Sequence, residues 1–292
     1  MEESCPSQEL TDFHSLTHTH TCNKPMTEKE FSVHVDHMQR DGFAILPGIL
    51  TPDECDSARN ELDRLAGERD CGGFECLFNK ARVFERIYQG PLLLKFVRYF
   101  LGADALLSSM HGSILAPGEG GDGLHADGAI TGHLRQQSLA PADANSRITT
   151  HMVALNAIIC ISEFTEKNGA TELVPGSHLY AGVDRPPNAA NEAQIAAAEP
   201  GSAVVFNANT WHGSSKNRSE TARHAVLNPW RRQWTRCEYE LARIVDSEVL
   251  ARAGEEGKAI FGLSALPPYL ERWQWEREEG RPNAAATHLR RD

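Results

Sequence analysis

Long apolar runs are missing from this chain. The most apolar stretch, Met152 to Ile161, is short and broken by Asn156, whereas a membrane span needs about 20 consecutive apolar residues. No membrane partner is expected. Basic charge is also scarce: 29 Lys and Arg stand against 40 Asp and Glu, a formal net charge of −11. Phosphate binding needs clustered cations, so nucleic acid is not an expected partner. Arg231, Arg232 and Arg236 form a group large enough only to help hold an acidic substrate. The seven Cys, at positions 5, 22, 55, 71, 76, 160 and 237, follow no zinc-binding spacing. An odd, scattered set is no disulfide framework either, and the expected compartment is the reducing cytoplasm. The polar start carries His14, His18, His20 and Cys22 and does not read as a secretory signal. Residues 1–26 are expected to be a flexible leader, with adventitious metal binding as the alternative.

What is present is a run of helix signals followed by strands. Thr27-Glu28-Lys29-Glu30 forms a capping box for a helix to about Arg40. Thr51-Pro52-Asp53-Glu54 repeats the signal with proline at the first helical position, opening a helix to about Ala66. A third helix is predicted over Pro91 to Leu101. Strands are predicted at Ala105 to Leu115, Leu124 to Gly128, Thr149 to Ser162, Thr171 to Val174, Ser202 to Phe206 and Arg223 to Asn228. Helices first and strands afterwards point to an α+β, mainly β, fold with a jelly-roll catalytic half. The expected organisation is one domain over 27–276, with its core at about 105–230 and a flexible tail at 277–292. Two long segments, 131–147 and 180–200, are expected to shape a pocket, the first as a lid and the second as a loop with a short helix.

The chemistry-bearing pattern starts at Gly123-Leu124-His125-Ala126-Asp127-Gly128. In an extended strand residues i and i+2 point to one face, so His125 and Asp127 can reach one ion. Two imidazoles and a carboxylate on one face leave coordination positions open, which suits non-haem Fe(II). The candidate third ligand is His212, in Asn209-Thr210-Trp211-His212-Gly213-Ser214, which follows the apolar run Ala203-Val204-Val205-Phe206; a strand is expected to deliver it to the barrel mouth. Taken alone, a His-x-Asp triplet is weak in a chain with 13 His and 40 acidic residues.

Further segments change that weight: Asn168-Gly169-Ala170-Thr171, then Val174-Pro175-Gly176-Ser177-His178, and Trp211-His212-Gly213-Ser214 ahead of Ala222-Arg223-His224. With Asp41-Gly42-Phe43-Ala44-Ile45-Leu46-Pro47-Gly48 as an opening strand, the chain resembles the phytanoyl-CoA dioxygenase family from about Gly42 to Trp230. The resemblance implies a double-stranded β-helix (jelly-roll, cupin-like) with N-terminal and flanking helices. It further implies Fe(II) held by His125, Asp127 and His212, and 2-oxoglutarate and O2 as co-substrates. The family's co-substrate arginine, eleven residues after the distal His, maps to Arg223. Ser214 takes the place of an assisting hydroxyl, and Thr171 that of a further co-substrate contact. One departure stands out. Many members carry Gln three residues before the first ligand, and this chain has Asp122. A carboxylate facing the co-substrate's carboxylate would repel it, so either Asp122 turns away or another donor such as Asn156 takes over.

Arg223 suits the far carboxylate of a diacid because its planar fork donates two parallel bonds. Its strand neighbours Ala225 and Leu227 suggest an inward aim, whereas Arg218 lies in a polar loop. His178 follows a turn and reads as structural. Phe74, Phe78, Tyr88, Trp211 and Trp230 are candidate apolar walls, though large aromatics are more often core. The expected activity is oxidation of a small molecule, hydroxylation by default, in specialised metabolism, by a monomer or homodimer. The intact Asp127 disfavours halogenation. An acyl-CoA hydroxylase is the alternative within the family. A zinc hydrolase using the same three ligands and a non-catalytic carboxylate-binding jelly-roll are the alternatives outside it.

Overall fold

The computed structural model describes residues 26–68, 74–127, 152–180 and 189–264. The expected leader and tail, the lid over 131–147 and residues 181–188 fall outside them, apart from Met26, which packs on the core.

The first helix, α1 (Glu28–Asp41), begins with the predicted box. The Thr27 hydroxyl accepts the Glu30 amide, and the Glu30 carboxylate accepts the Thr27 amide, which satisfies N–H groups that no helical carbonyl can reach. It ends at Gly42, whose φ of 84° is a left-handed turn suited to glycine. α2 (Pro52–Glu68) opens with the same exchange between Thr51 and Glu54. A short α3 (Glu85–Tyr88) follows, then α4 (Pro91–Leu101), α5 (Leu241–Ile244) and α6 (Ser247–Ile260). α6 is absent from the elements predicted from sequence. Its buried positions Val249, Ala253, Gly257 and Ile260 do recur at helical spacing. Gly254 and Gly257 dilute that signal, and Gly254 itself leaves helical geometry with φ 63°.

The strands form two sheets. The large one contains β1 (Phe43–Leu46), β2 (Leu106–Leu107), β3 (His111–Leu115), β4 (Ala154–Cys160), β7 (Ala203–Asn207), β9 (Arg223–Leu227) and β10 (Trp230–Arg231). The small one contains β5 (Thr171–Leu173), β6 (Gln194–Ile195) and β8 (His212–Ser214), in the order β6-β5-β8. All pairings are antiparallel. Together they make the double-stranded β-helix of an α+β, mainly β, protein.

The predicted strand over Ala105 to Leu115 is in fact two, interrupted at 108–110, and its neighbour is interrupted at Asn228 and Pro229. Proline has no N–H to give a ladder. The buried Ser108 mends the break: its amide donates to the Pro229 carbonyl, and its hydroxyl accepts from the Glu238 amide and Arg231 Nε. The strand predicted at Leu124 to Gly128 is reduced to a single bridge at His125, with Gly128 outside the described residues. In the segment expected to be a loop with a short helix, the described part after residue 188 contains a one-turn 3-10 helix, Ala189–Asn191, followed by β6.

Alternation along the strands divides the interior into two cores. Leu155, Ala157 and Ile159 on β4, Ala203 and Val205 on β7 and Val226 on β9 pack against the helices, meeting Phe31, Met38, Leu62 and Phe96. Ile158, Cys160, Val204, Phe206 and Ala225 point the other way, toward the small sheet, where Leu173 and Phe164 meet them. The candidate site residues face this second interior. On the helix side the packing is tight at Gly201, which has φ 82° and where a Cβ would overlap the Leu50 carbonyl oxygen. Gly201→Ala combines left-handed strain with a backbone clash and is expected to lower stability by about 2–4 kcal/mol. Calorimetry should show the melting temperature falling by about 5 °C or more.

Candidate functional site

The two ligand segments meet through backbone bonds. His125 N donates to His212 O at 2.8 Å and His212 N donates to His125 O at 2.7 Å, a reciprocal antiparallel pair that places the two side chains on one face. His212 therefore opens its own short strand, β8, after a turn at 208–211, rather than being carried directly by the apolar run before it. β8 in turn pairs with β5, Leu173 opposite His212 and Thr171 opposite Ser214. Since Leu173 belongs to the interior core, the whole row faces inward.

Each imidazole Nε2 lies 3.5 Å from a different Asp127 oxygen. The three prospective ligand atoms lie within 4.8 Å of one another, a spacing one metal ion could bridge. The His125 and His212 ring centroids are 4.3 Å apart, and Phe206 stacks against His212 at 4.4 Å. His212 Nδ1 lies 2.9 Å from the Thr210 carbonyl. A carbonyl can only accept, so Nδ1 carries the proton and Nε2 presents its lone pair. Burial pushes the His212 pKa down, with His125 adding to the effect and Asp127 opposing it. The ring is thus neutral at physiological pH, the form that binds a metal. Asp127 and His125 are exposed while His212 is buried, so the site opens on one side.

The large sheet faces this cluster. Asn156 Nδ2 donates to Asp127 Oδ2 at 2.5 Å, so the group expected to serve the co-substrate orients the carboxylate instead. Arg223 is 3% exposed. Its Nε and Nη1 are buried without a hydrogen-bond partner among the described residues, and its guanidinium carbon lies 4.5 Å over the Phe164 ring. Burial lowers its pKa to about 10, which leaves it charged at neutral pH. A buried, unpaired cation is costly, and a carboxylate matches its unused donors.

The remaining predicted residues sort plainly. Thr171 is buried and Ser214 half-buried on the inner face. Asp122 and Arg218 are exposed. His178 Nε2 sits 3.3 Å from the Gln39 carbonyl at the end of α1, consistent with a structural role. Arg231, Arg232 and Arg236 are not a free anion patch. Arg231 is paired with Glu238, Arg232 with the carbonyls of Met152, Leu101 and Phe100, and Arg236 with Glu240. Phe78, Tyr88 and Trp230 belong to the helix-side core, and Phe74 packs against it. Only Trp211 lies by the site, packed with Val174, Leu124 and Ala126. Sequence reasoning missed Phe164 and the Thr210 carbonyl. Neither carries a signal, because one is an isolated aromatic and the other acts through its backbone.

A double-stranded β-helix with two imidazoles and a carboxylate converging at one end is an architecture of non-haem iron oxidoreductases. The chain belongs to the phytanoyl-CoA dioxygenase family, whose model matches residues 38–225. It is 27% identical over 208 residues to the dioxygenase trt7 of Aspergillus terreus, a match covering 65% of this chain and 69% of that protein. It is 36% identical over 123 residues to the dioxygenase cdmA of Talaromyces verruculosus, covering 40% and 37%. Among solved structures it resembles the epimerase SnoN in complex with Fe3+, alpha ketoglutarate and nogalamycin RO, with a TM-score of 0.56, 17% identity and 73% and 88% coverage. It also resembles the non-heme monooxygenase ThoJ in its nickel complex, with a TM-score of 0.53, 20% identity and 70% and 79% coverage.

A partner that orients a ligand typically contributes 10- to 100-fold in metal affinity. Asn156→Ala is therefore expected to weaken Fe(II) or Ni(II) binding by about that factor in a competition titration. Unchanged affinity would mean that Asp127 needs no such support.

Proposed function

We propose that this enzyme is an Fe(II)- and 2-oxoglutarate-dependent dioxygenase that oxidises a small molecule, with His125, Asp127 and His212 as the metal ligands. The observation that carries the reading is the pairing of that cluster with Arg223 in one interior. A facial two-imidazole, one-carboxylate set leaves room for a chelating co-substrate and O2. The buried guanidinium supplies the counter-charge for a diacid's distal end. When bound, the metal would let O2 act as the oxidant, one oxygen atom going into succinate as 2-oxoglutarate loses CO2 and the other serving to oxidise the substrate.

The chain's own residues bind and orient. Thr210 fixes the His212 tautomer, Asn156 holds Asp127, and Phe206 packs the His212 ring. Arg223 reads the distal carboxylate, with Ser214 and Thr171 contributing hydroxyls from the facing sheet. The apolar core around Phe164 and Ile158 excludes water from the deep side, which strengthens the carboxylate–guanidinium interaction. Hydroxylation is the default outcome. SnoN, a fold neighbour, is described as an epimerase, so related sites serve other outcomes, and desaturation, epoxidation or cyclisation would use the same residues.

Anaerobic Fe(II) and 2-oxoglutarate added to the protein are expected to give a weak visible charge-transfer band, and admission of air to give succinate. Loss of the band with hydrolytic activity under Zn(II) would replace this reading with a zinc hydrolase. His212→Ala should abolish both band and succinate. Arg223→Ala should weaken 2-oxoglutarate binding by at least about tenfold, the worth of a charge-assisted hydrogen bond. The co-substrate should also raise the melting temperature of the wild type by mass action, but much less in this variant. An unchanged co-substrate affinity would remove Arg223 from the role.

A further inference from the structure

Among the described residues, the positions expected to serve the keto-acid end of the co-substrate offer it no free donor. Asp122, at the family's usual donor position, is an exposed carboxylate. The Asn156 amide is engaged with Asp127. Among the described residues, the inner face of the large sheet also carries an imidazole near these rows. His111 pairs with Leu227 on β9, and Leu227 pairs with Ile158 on β4. Directly opposed residues in antiparallel strands share a face. His111 therefore points into the same interior as Arg223, Ala225, Ile158 and Cys160. Ile158 precedes Cys160 and follows Asn156 along that face of β4, which sets the His111 row nearer to the metal end than the Arg223 row.

His111 Nδ1 is buried and has no hydrogen-bond partner among the described residues, although its side chain as a whole is only half-buried. Buried polar atoms are nearly always satisfied, and an imidazole can present Nδ1–H to an oxygen. Its strand neighbour on the same face, Ser113, lies opposite Ala225, one row closer to Arg223. A ligand stretched from Arg223 to the metal cluster would therefore pass Ser113 first and reach His111 at the metal end.

We propose that His111 is a co-substrate-binding residue, donating from Nδ1 to the keto-acid carboxylate of 2-oxoglutarate and taking the place that Asp122 cannot fill. The proposal rests on the dioxygenase reading of the site and adds a residue that the family pattern does not assign.

The test is a titration of 2-oxoglutarate into anaerobic Fe(II)-loaded protein, read by the visible charge-transfer band, with melting curves of the metal-free proteins alongside. His111→Ala is expected to raise the dissociation constant by roughly 10- to 100-fold, as loss of one hydrogen bond to a charged group does. The band maximum is expected to move, since the donor sits on the chelating end. His111→Gln, which keeps an N–H donor, is expected to recover most of the affinity. A wild-type affinity and band position in His111→Ala would overturn the assignment while leaving the dioxygenase reading intact. A weakened affinity that glutamine does not restore, accompanied by a lowered melting temperature, would make His111 a packing residue and overturn it as well. Absence of any band in the wild type would remove both readings together.

Discussion

Two backbone hydrogen bonds between His125 and His212 hold the centre of this protein together. They weld a segment with no regular strand of its own onto the edge of a three-stranded sheet. Pairing of this kind brings side chains on opposing residues within a few ångströms and on the same face. Once His125 is fixed, Asp127 follows because it lies two residues on. Three prospective ligand positions spread over 87 residues of sequence, from 125 to 212, thus depend on one pair of backbone bonds. The close approach needs room, and Gly213 provides it: a side chain there would press on the Gly123 carbonyl.

The second constraint is the division of labour between the sheets. The small sheet carries the prospective metal ligands and the Thr171 and Ser214 hydroxyls. The large sheet carries the groups that orient or complement them, Asn156 and Arg223. The large sheet can do this because β4 is buried on both sides, with alternate residues serving the helix-side core and the inner one. Its rigidity comes from packing against α1, α2, α4 and α6. The outward neighbour of Arg223 contributes directly, since His224 Nε2 meets Asp63 of α2 at 2.8 Å. Adjacent residues on β9 thereby tie the site to the helical layer behind it.

Much of this was legible in the sequence. The capping boxes at Thr27 and Thr51 fixed two helix starts because such caps are written in consecutive residues. The His-x-Asp pair announced itself through the two-residue period of a strand, and Arg223 through apolar companions at the same period. What escaped was everything decided by contacts distant along the chain. The interruption of β9 and β10 at Pro229 breaks the partner strand at Ser108 as well, and no local feature of 105–115 reveals that. Asn156 reads as a lone polar residue in an apolar strand, and only the fold discloses that Asp127 is its partner. His111 carries no sequence signal because its meaning lies in facing Leu227 across a ladder. α6 was hidden by its own glycines.

The placement of Arg223 on one sheet and the prospective metal ligands on the other has a further consequence for selectivity. The gap between the two walls acts as a gauge: the guanidinium lies over Phe164, and the Thr210 carbonyl holds the His212 ring. A monocarboxylate bound there would leave the buried positive charge uncompensated.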